Sequence, residues 1–442
     1  MHFQCVSVLA VAFMALAVQA ERLELNWNPE YVSANPDGLY EPKATPSFSM
    51  SSNTSTIKDW YHNQSQVNLD WYLSKANLDG NEPTPNSVII NDGLPTICFN
   101  PAKPICSDYS ILAGYKRFFF NIDDHDMQIV ETDGSDTEPY KTDQVYLAVA
   151  QRLAVLVRAK NATDTNYYMH VDMERIDELH CVLQPALLDA TIPIYYDESH
   201  VNFAPRENTI PNTLDDLSLR SLINTYSVEP DQSLNFTVEN QVTKDDLNRG
   251  MINRVPFVSS LTPTYYTALT TGDYAINPEV YGPQGRGYVT KQNDYIEIVI
   301  NNYDGDHHPF HLHGHKFHIV ARGKGPHDYY HGDPLQTDSW VLEKPVERDT
   351  VLVDANTYVI FRYRDDNPGT WFFHCHIVWH LYAGIATVMI ESPEIAQQRD
   401  TVDPLLAEQC RVQRFHSSGN VARKVSTYLA HLTVSIFRLI NL

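Results

Sequence analysis

Short runs of β-branched and aromatic residues, bounded by Gly, Pro, Asn or Asp, recur along most of the chain. Phe118 to Ile122, Val145 to Ala150, Tyr295 to Ile300, Tyr358 to Tyr363 and Ile385 to Ile390 are examples, and long helical periodicity is scarce. Runs of this length with turn residues between them predict strands, and a chain made of them predicts an all-β protein of sandwiches or barrels. A polar stretch from Asp197 to Gln232 has few long apolar runs and reads as the connection between two such units. The halves echo each other, since His125-Asp-Met-Gln-Ile-Val and His315-Lys-Phe-His-Ile-Val each lead into a strand-like segment. Two related β units are therefore expected.

The ends of the chain read differently. Residues 1–20, MHFQCVSVLAVAFMALAVQA, have a short polar start, an apolar run from Cys5 to Val18 and small residues ending at Ala20. This is the pattern of a signal peptide, shorter than the roughly 20 apolar residues needed to span a bilayer. The apolar tail from Tyr428 to Leu442 is short and interrupted by His431 and Arg438, so no membrane span is expected. Asn-x-Ser/Thr sequons at Asn53, Asn63, Asn161 and Asn235 fit an exported, glycosylated protein, extracellular or of the cell wall. With 442 residues, 43% of them hydrophobic, the chain can fill at least two ordinary cores. Against 55 Asp and Glu it carries 32 Lys and Arg, a formal charge of -23. Such a surface repels phosphate backbones, so nucleic acid is not an expected partner, whereas cations or neutral substrates are acceptable.

After the leader five cysteines remain, Cys98, Cys106, Cys181, Cys375 and Cys410. An odd number in an oxidising compartment leaves one sulfur outside any disulfide. Cys98 with Cys106 and Cys181 with Cys410 is one possible pairing, and spacing alone leaves the connectivity open. The histidines single out Cys375. Of the 19 in the chain, one cluster reads His308-Pro-Phe-His311-Leu-His313-Gly-His315, and another reads His374-Cys375-His376-Ile-Val-Trp-His380. Strand alternation sends His311 and His313 to one face, and His374 and His376 to one face with Cys375 on the other. One short strand can thus serve two metal sites back to back. Cys375 with His308 and His380 supplies the two-imidazole, one-thiolate set of a blue copper centre. The usual weak axial ligand is a Met, and Ile385, ten residues after Cys375, cannot coordinate, so a high reduction potential is expected. His311, His313, His374 and His376 are spaced to converge on a second, polynuclear copper site. A structural zinc site would more commonly use paired cysteines, and the chain has no Cys-x-x-Cys. His62, His170, His180, His200, His416 and His431 stand outside the clusters and read as ordinary side chains.

With these motifs in view, residues 48–415 resemble the multicopper oxidases, in the fungal laccase and iron-ferroxidase branch. Asp59-Trp-Tyr-His, Asn121-Ile-Asp-Asp-His-Asp-Met, Ala150-Gln-Arg and Asp366-Asn-Pro-Gly-Thr-Trp-Phe-Phe share in that resemblance. It implies tandem cupredoxin-like domains, Greek-key β-sandwiches, one without copper ligands at 48–196 and one with them at 233–415, joined by a linker at 197–232. It implies type 1 copper at His308, Cys375 and His380, type 2 copper at His311, and a type 3 pair at His313, His374 and His376. Electrons would pass from type 1 copper through Cys375 to a trinuclear cluster that reduces dioxygen to water. Complete family members carry a further amino-terminal domain whose His-x-His motifs supply the other half of that cluster. No such motif precedes His308 here, so residues 21–47 read as a remnant of that domain or a leader, and 416–442 as a divergent tail.

Between the two branches, the resemblance points to a laccase acting on phenolic or pigment-like substrates. Asp123 falls where laccases place a substrate-binding Asp, and would bind and deprotonate a phenol while His380 offers its imidazole edge. Val378 stands where ferroxidases place a proton-relaying Glu. Asp304, four residues before His308, matches an acid of the ferroxidases and could steer a cation, which keeps iron oxidation as an alternative. Because half the cluster ligands are missing, a mononuclear blue copper electron carrier is a further alternative, and a copper-free paralogue a third.

Overall fold

The computed structural model describes residues 31–34, 41–44, 73, 97–98, 117–160, 164–174, 189–196, 199, 201–204 and 214–404, the last span without 245, 261, 284, 286 and 326–339. The leader, Asn53, Asn63, Asn161, Cys106, Cys181, Cys410 and the tail lie outside the described residues. Strands β1 (Tyr31–Ala34) and β2 (Glu41–Ala44) form an antiparallel pair, and β3 (Ile97–Cys98) joins the first large sheet.

That first unit continues with β4 (Phe118–Ile122), β5 (Met127–Thr132), β6 (Ser135–Thr142), β7 (Val145–Leu147), β8 (Leu153–Val157), β9 (Tyr167–Met173) and β10 (Asp189–Tyr195). The order β3-β10-β9-β4-β7 makes one sheet and β6-β5-β8 the other. The second unit contains β11 (Gln232–Val242), β12 (Asn248–Ile252), β13 (Gly287–Thr290), β14 (Tyr295–Asn302), β15 (His308–Leu312), β16 (Phe317–Lys324), β17 (Glu347–Arg348), β18 (Thr350–Val353), β19 (Thr357–Arg364), β20 (Gly369–Cys375) and β21 (Ala386–Glu391). Its sheets run β12-β11-β14-β19-β16-β17 and β13-β21-β20-β15-β18. Alternate residues of facing strands meet inside, with Ile296, Ile298 and Ile300 of β14 sharing one core with Phe310, Leu312 and Phe373 of the copper-motif strands.

The sequence echo has a geometric counterpart. The strand after His125 and the strand after His315 each carry a register shift at the same distance, between Ile129 and Glu131 and between Ile319 and Ala321. Each His also follows a left-handed turn residue, Asp124 at φ 51° and Gly314 at φ 74°. A bulge adds twist and bends the strand, and repeating it at one position gives both units the same curvature.

The connection between units is less detached than its polarity predicts. Leu217 and Leu219 are buried in the core that also holds Ile129, Val145 and Val149 of the first unit. Its end also merges into structure, because β11 starts at Gln232 and pairs in parallel with β14. Polar groups secure the same junction. Arg348 is 2% exposed and bonds Asp133 of the first unit through Nε and Nη2, at 2.9 and 3.0 Å, and Asp216 of the connection through Nη1 at 2.9 Å. A guanidinium with carboxylates on both sides explains how a charge is tolerated there.

Candidate metal centre

Strands β15 and β20 run antiparallel with Phe310 opposite Cys375 and His311 opposite His374. Opposed residues share a face, so the ladder sends the thiol toward the interior and the two imidazoles to the other side. Backbone bonds carry the pairing beyond the strands, from His313 N to Phe372 O at 3.0 Å and from His376 N to Pro309 O at 2.7 Å. His380 arrives from the short helix Val378–Ala383. That helix stops at Gly384, φ 123°, where a Cβ would lie 2.7 Å from the Gly250 carbonyl oxygen. Ile385 ties the two ligand segments together, its N–H donating to His380 O and its carbonyl accepting from Cys375 N, both at 3.0 Å.

Cys375 Sγ lies 3.7 Å from His308 Nδ1 and 3.5 Å from His380 Nδ1, and the two nitrogens are 2.9 Å apart. All three side chains are buried. Among the described residues this is the group of His, Cys, Asp or Glu whose donor atoms all lie within 4.8 Å of one another. His308 Nε2 is 3.0 Å from Asp304 Oδ2. A carboxylate accepts, so Nε2 carries a proton and Nδ1 is the nitrogen turned toward Cys375. Burial alone would raise the Cys375 thiol, but the imidazoles of His380 and His308 beside it hold its pKa below the ordinary value. One thiol of lowered pKa and two imidazoles in a dry pocket are the donor set that would hold a copper ion of the type 1 kind.

The opposite face gathers the other four histidines. Ring centroids lie 5.0 Å apart for His311 and His313, 5.3 Å for His313 and His374, 5.4 Å for His374 and His376, and 5.7 Å for His311 and His376. His374 Nδ1 donates to the Cys375 carbonyl at 2.9 Å, which leaves Nε2 as a lone pair 3.2 Å from His313 Nε2. Burial first, then the neighbouring imidazoles, lower His313 to about 4 and His376 to about 3, and push His374 well below its usual value. All three are neutral near pH 7, as metal ligands must be. His376 Nδ1 is buried with no hydrogen-bond partner, a deficit that a bound ion would relieve. These donors are spread more widely than the type 1 trio, and they fit part of a polynuclear copper shell.

The acids divide. Asp304 is partly exposed and, besides His308, accepts from Asn240 Nδ2 at 2.5 Å and from the Gly305 amide at 2.8 Å. Burial works against its charge, but the bond from His308 and the nearby His380 hold its pKa down. Asp306, partly exposed and 3.3 Å from His307 Nδ1, is lowered likewise against burial, by His307 and then by His380 and His308. Asp123 departs from expectation. Its side chain is fully buried, and His170 Nε2 lies 3.0 Å from both carboxylate oxygens. A carboxylate closed off in this way is a pairing group of the first unit and does not meet a phenol in solvent. His170, read as an ordinary side chain, is its partner. Ile385 is fully buried, Val378 is the first residue of the helix that carries His380, and Asn235 is exposed on β11. Sequence reading passed over Asp306, whose signal was its place two residues before His308. It also passed over Asp349 and Thr350, which no motif announced.

Tandem β-sandwiches, one of which encloses a thiolate and two imidazoles, define a copper protein of the cupredoxin type. Two sequence models described as multicopper oxidase match residues 51–189 and 255–394. The iron transport multicopper oxidase FET5 of Saccharomyces cerevisiae is 33% identical over 393 residues, 83% of this chain and 62% of that protein. The iron transport multicopper oxidase FET3 of Kluyveromyces lactis is 35% identical over 361 residues, 78% of this chain and 56% of its own length. The crystal structure of Fet3p, described as a multicopper oxidase that functions in iron import, aligns with TM-score 0.70 and 32% identity, covering 80% of this chain and 69% of that one. A laccase from Botrytis aclada shares the fold, with TM-score 0.57 at 22% identity over 74% of this chain and 59% of that one. The chain belongs to the multicopper oxidase family. It spans about three fifths of the length of the two curated relatives, 62% and 56%.

Proposed function

We propose that this protein oxidises iron(II), one electron at a time, at the edge of the type 1 site marked by Asp304. The observation that carries the reading is the Asp304 carboxylate, which reaches solvent on one side and bonds His308 on the other. Copper held by His308, Cys375 and His380 supplies a one-electron acceptor, and in the family dioxygen is the final oxidant. Asp304 and Asp306 give a small hydrated cation two ionised oxygen donors beside that acceptor, and the overall charge of -23 favours its approach. Asp304 also keeps the proton on His308 Nε2, so one residue both meets the cation and orients a copper ligand.

The laccase expectation gives way on two counts. Relatives at 33% and 35% identity carry iron transport in their names, whereas the laccase likeness, at 22%, speaks for the fold alone. Asp123, which was to hold the phenol, is buried against His170. The pointer from Val378 does not outweigh these. Among the described residues no helix is long and apolar enough to cross a membrane. Export remains part of the proposal, supported by the leader at residues 1–20 and the exposed sequon at Asn235.

Anaerobic reduction of the copper-loaded chain tests the substrate, because bleaching of the blue thiolate band requires no dioxygen. Asp304→Ala is expected to slow bleaching by iron(II) at least about tenfold, the scale of an outer-shell loss, and bleaching by hydroquinone much less. Equal slowing with both donors would leave Asp304 a support for His308 and remove the case for iron.

A further inference from the structure

Asp349 lies between β17 and β18 of the second unit, where the first unit grips it. Arg152 Nη1 donates to Oδ1 at 2.8 Å and Nη2 to Oδ2 at 2.6 Å, a bidentate pair across the junction. Arg152 is itself fixed, by Nη1 on the Ala150 carbonyl at 3.0 Å and by its amide on Asp133 Oδ1 at 2.8 Å. Its neighbour Gln151 donates from Nε2 to the Thr350 carbonyl at 3.1 Å. Asp133 Oδ2 accepts the amides of Asp349 and Thr350, each at 3.3 Å. Residues 349 and 350 thus take their position from side chains of the first unit.

On the far side of this grip stands His311. Thr350 Oγ1 donates its proton to Asp349 Oδ1 at 2.8 Å, so toward any other partner the hydroxyl can only accept. His311 Nδ1 is 3.0 Å from that hydroxyl, 3.0 Å from the Asp349 carbonyl and 3.5 Å from Asp349 Oδ1. Every group facing Nδ1 is an acceptor, which places the proton on Nδ1 and leaves Nε2 as the lone pair. His311 is also directly opposite His374 in the β15–β20 ladder, so its ring belongs to the four-histidine face.

We propose that Arg152 and Asp349 are positioning residues through which the first unit sets the tautomer and aim of His311, a ligand in the second unit. For its consequence in metal binding this rests on reading His311 as a copper ligand; the tautomer itself does not depend on that reading. A plain inter-unit ion pair is the competing account. Arg152 is 52% exposed, and a pair that open to water contributes little to stability, so its removal should leave the fold standing. The two accounts separate on what happens to the imidazole.

The test uses the full chain with histidine labelled with nitrogen-15, first free of metal. Long-range proton–nitrogen correlation is expected to show His311 as the Nδ1–H tautomer. In Arg152→Ala and in Thr350→Val, exchange of that proton with water should quicken by about tenfold, and Thr350→Ser should restore it, since the hydroxyl network supplies the outer-shell hold. Copper(II) is then titrated into chain whose type 1 site is already filled. Affinity at the histidine face should fall by about 10- to 100-fold in Arg152→Ala, with the blue band and melting temperature kept. An Nε2–H tautomer in the parent, or Arg152→Ala with unchanged proton exchange and copper affinity, would overturn the proposal. A parent chain that binds no second copper would refute the copper reading of the face, and proton exchange would still decide the positioning role.

Discussion

Glu391, Asp365, Tyr363 and His315 are buried together, and the nearest approach recorded among them is 2.8 Å, from His315 Nε2 to Glu391 Oε2. Thr290 Oγ1 donates to Asp365 Oδ2 at 2.5 Å, and Asp365 and Tyr363 both face the Glu391 carboxyl. Burial penalises the charged carboxylates, raising Glu391 to about 8 and Asp365, which also feels the charge of Glu391, to about 7. The ordinary values are 4.5 and 3.8, so the folded protein binds more protons than the unfolded chain between those values and the raised ones. Stability should therefore fall as pH rises from about 4.5 to 8, as the two carboxyls give up protons they hold only in the folded state. Glu391→Gln should flatten that slope in denaturant melts taken across the range, and a slope identical to the parent's would assign the titration to other groups. At this scale the meeting of His308, Cys375 and His380 was legible in the sequence, since a free Cys among patterned His has few uses. The fate of Asp123 was not legible, because a carboxylate on a short turn looks the same whether it faces solvent or His170, 47 residues away in sequence.

Among the elements, the turn between β15 and β16 divides two histidines across Gly314, His313 on the four-histidine face and His315 against buried Glu391. A Cβ at Gly314 would lie 2.4 Å from the Trp371 ring, and φ there is 74°. Glycine is thus required twice, for the left-handed backbone and for the close approach of the indole, whose Nε1 donates to Asn367 O at 2.6 Å. Gly314→Ala should cost about 1–3 kcal/mol, the scale of overpacking, measured by chemical denaturation. A neutral result would mean that Trp371 moves aside freely. Strand periodicity predicted β4, β14, β19 and β21 closely, for these are apolar runs at β spacing. What periodicity could not deliver was register. The placement of His311 opposite His374 depends on where β15 meets β20, which the motif alone does not state.

At the scale of the whole molecule, the first unit carries none of the proposed copper ligands yet shapes the site, through a shared core and through the charges at the junction. Arg348→Ala would remove the cation that Asp133 and Asp216 share, leaving Asp216 with Arg322 and Asp133 with backbone amides, and is expected to destabilise the protein by about 2–4 kcal/mol. A loss under about 1 kcal/mol in urea melts would show that water reaches those carboxylates and that the junction opens to solvent. The two-unit plan was legible in the echo of the His125 and His315 segments. The tightness of the junction was not, because Asp197 to Gln232 looks like a linker until Leu217 and Leu219 are seen in the core. We propose that this chain builds a type 1 copper centre from His308, Cys375 and His380. Copper per chain with the visible spectrum, compared between the parent sequence and Cys375→Ser, tests it most directly. A blue thiolate band in the parent that vanishes in the variant, with the loss of one copper, is the predicted result. A colourless copper-loaded parent, or a variant with an unchanged spectrum, would contradict it.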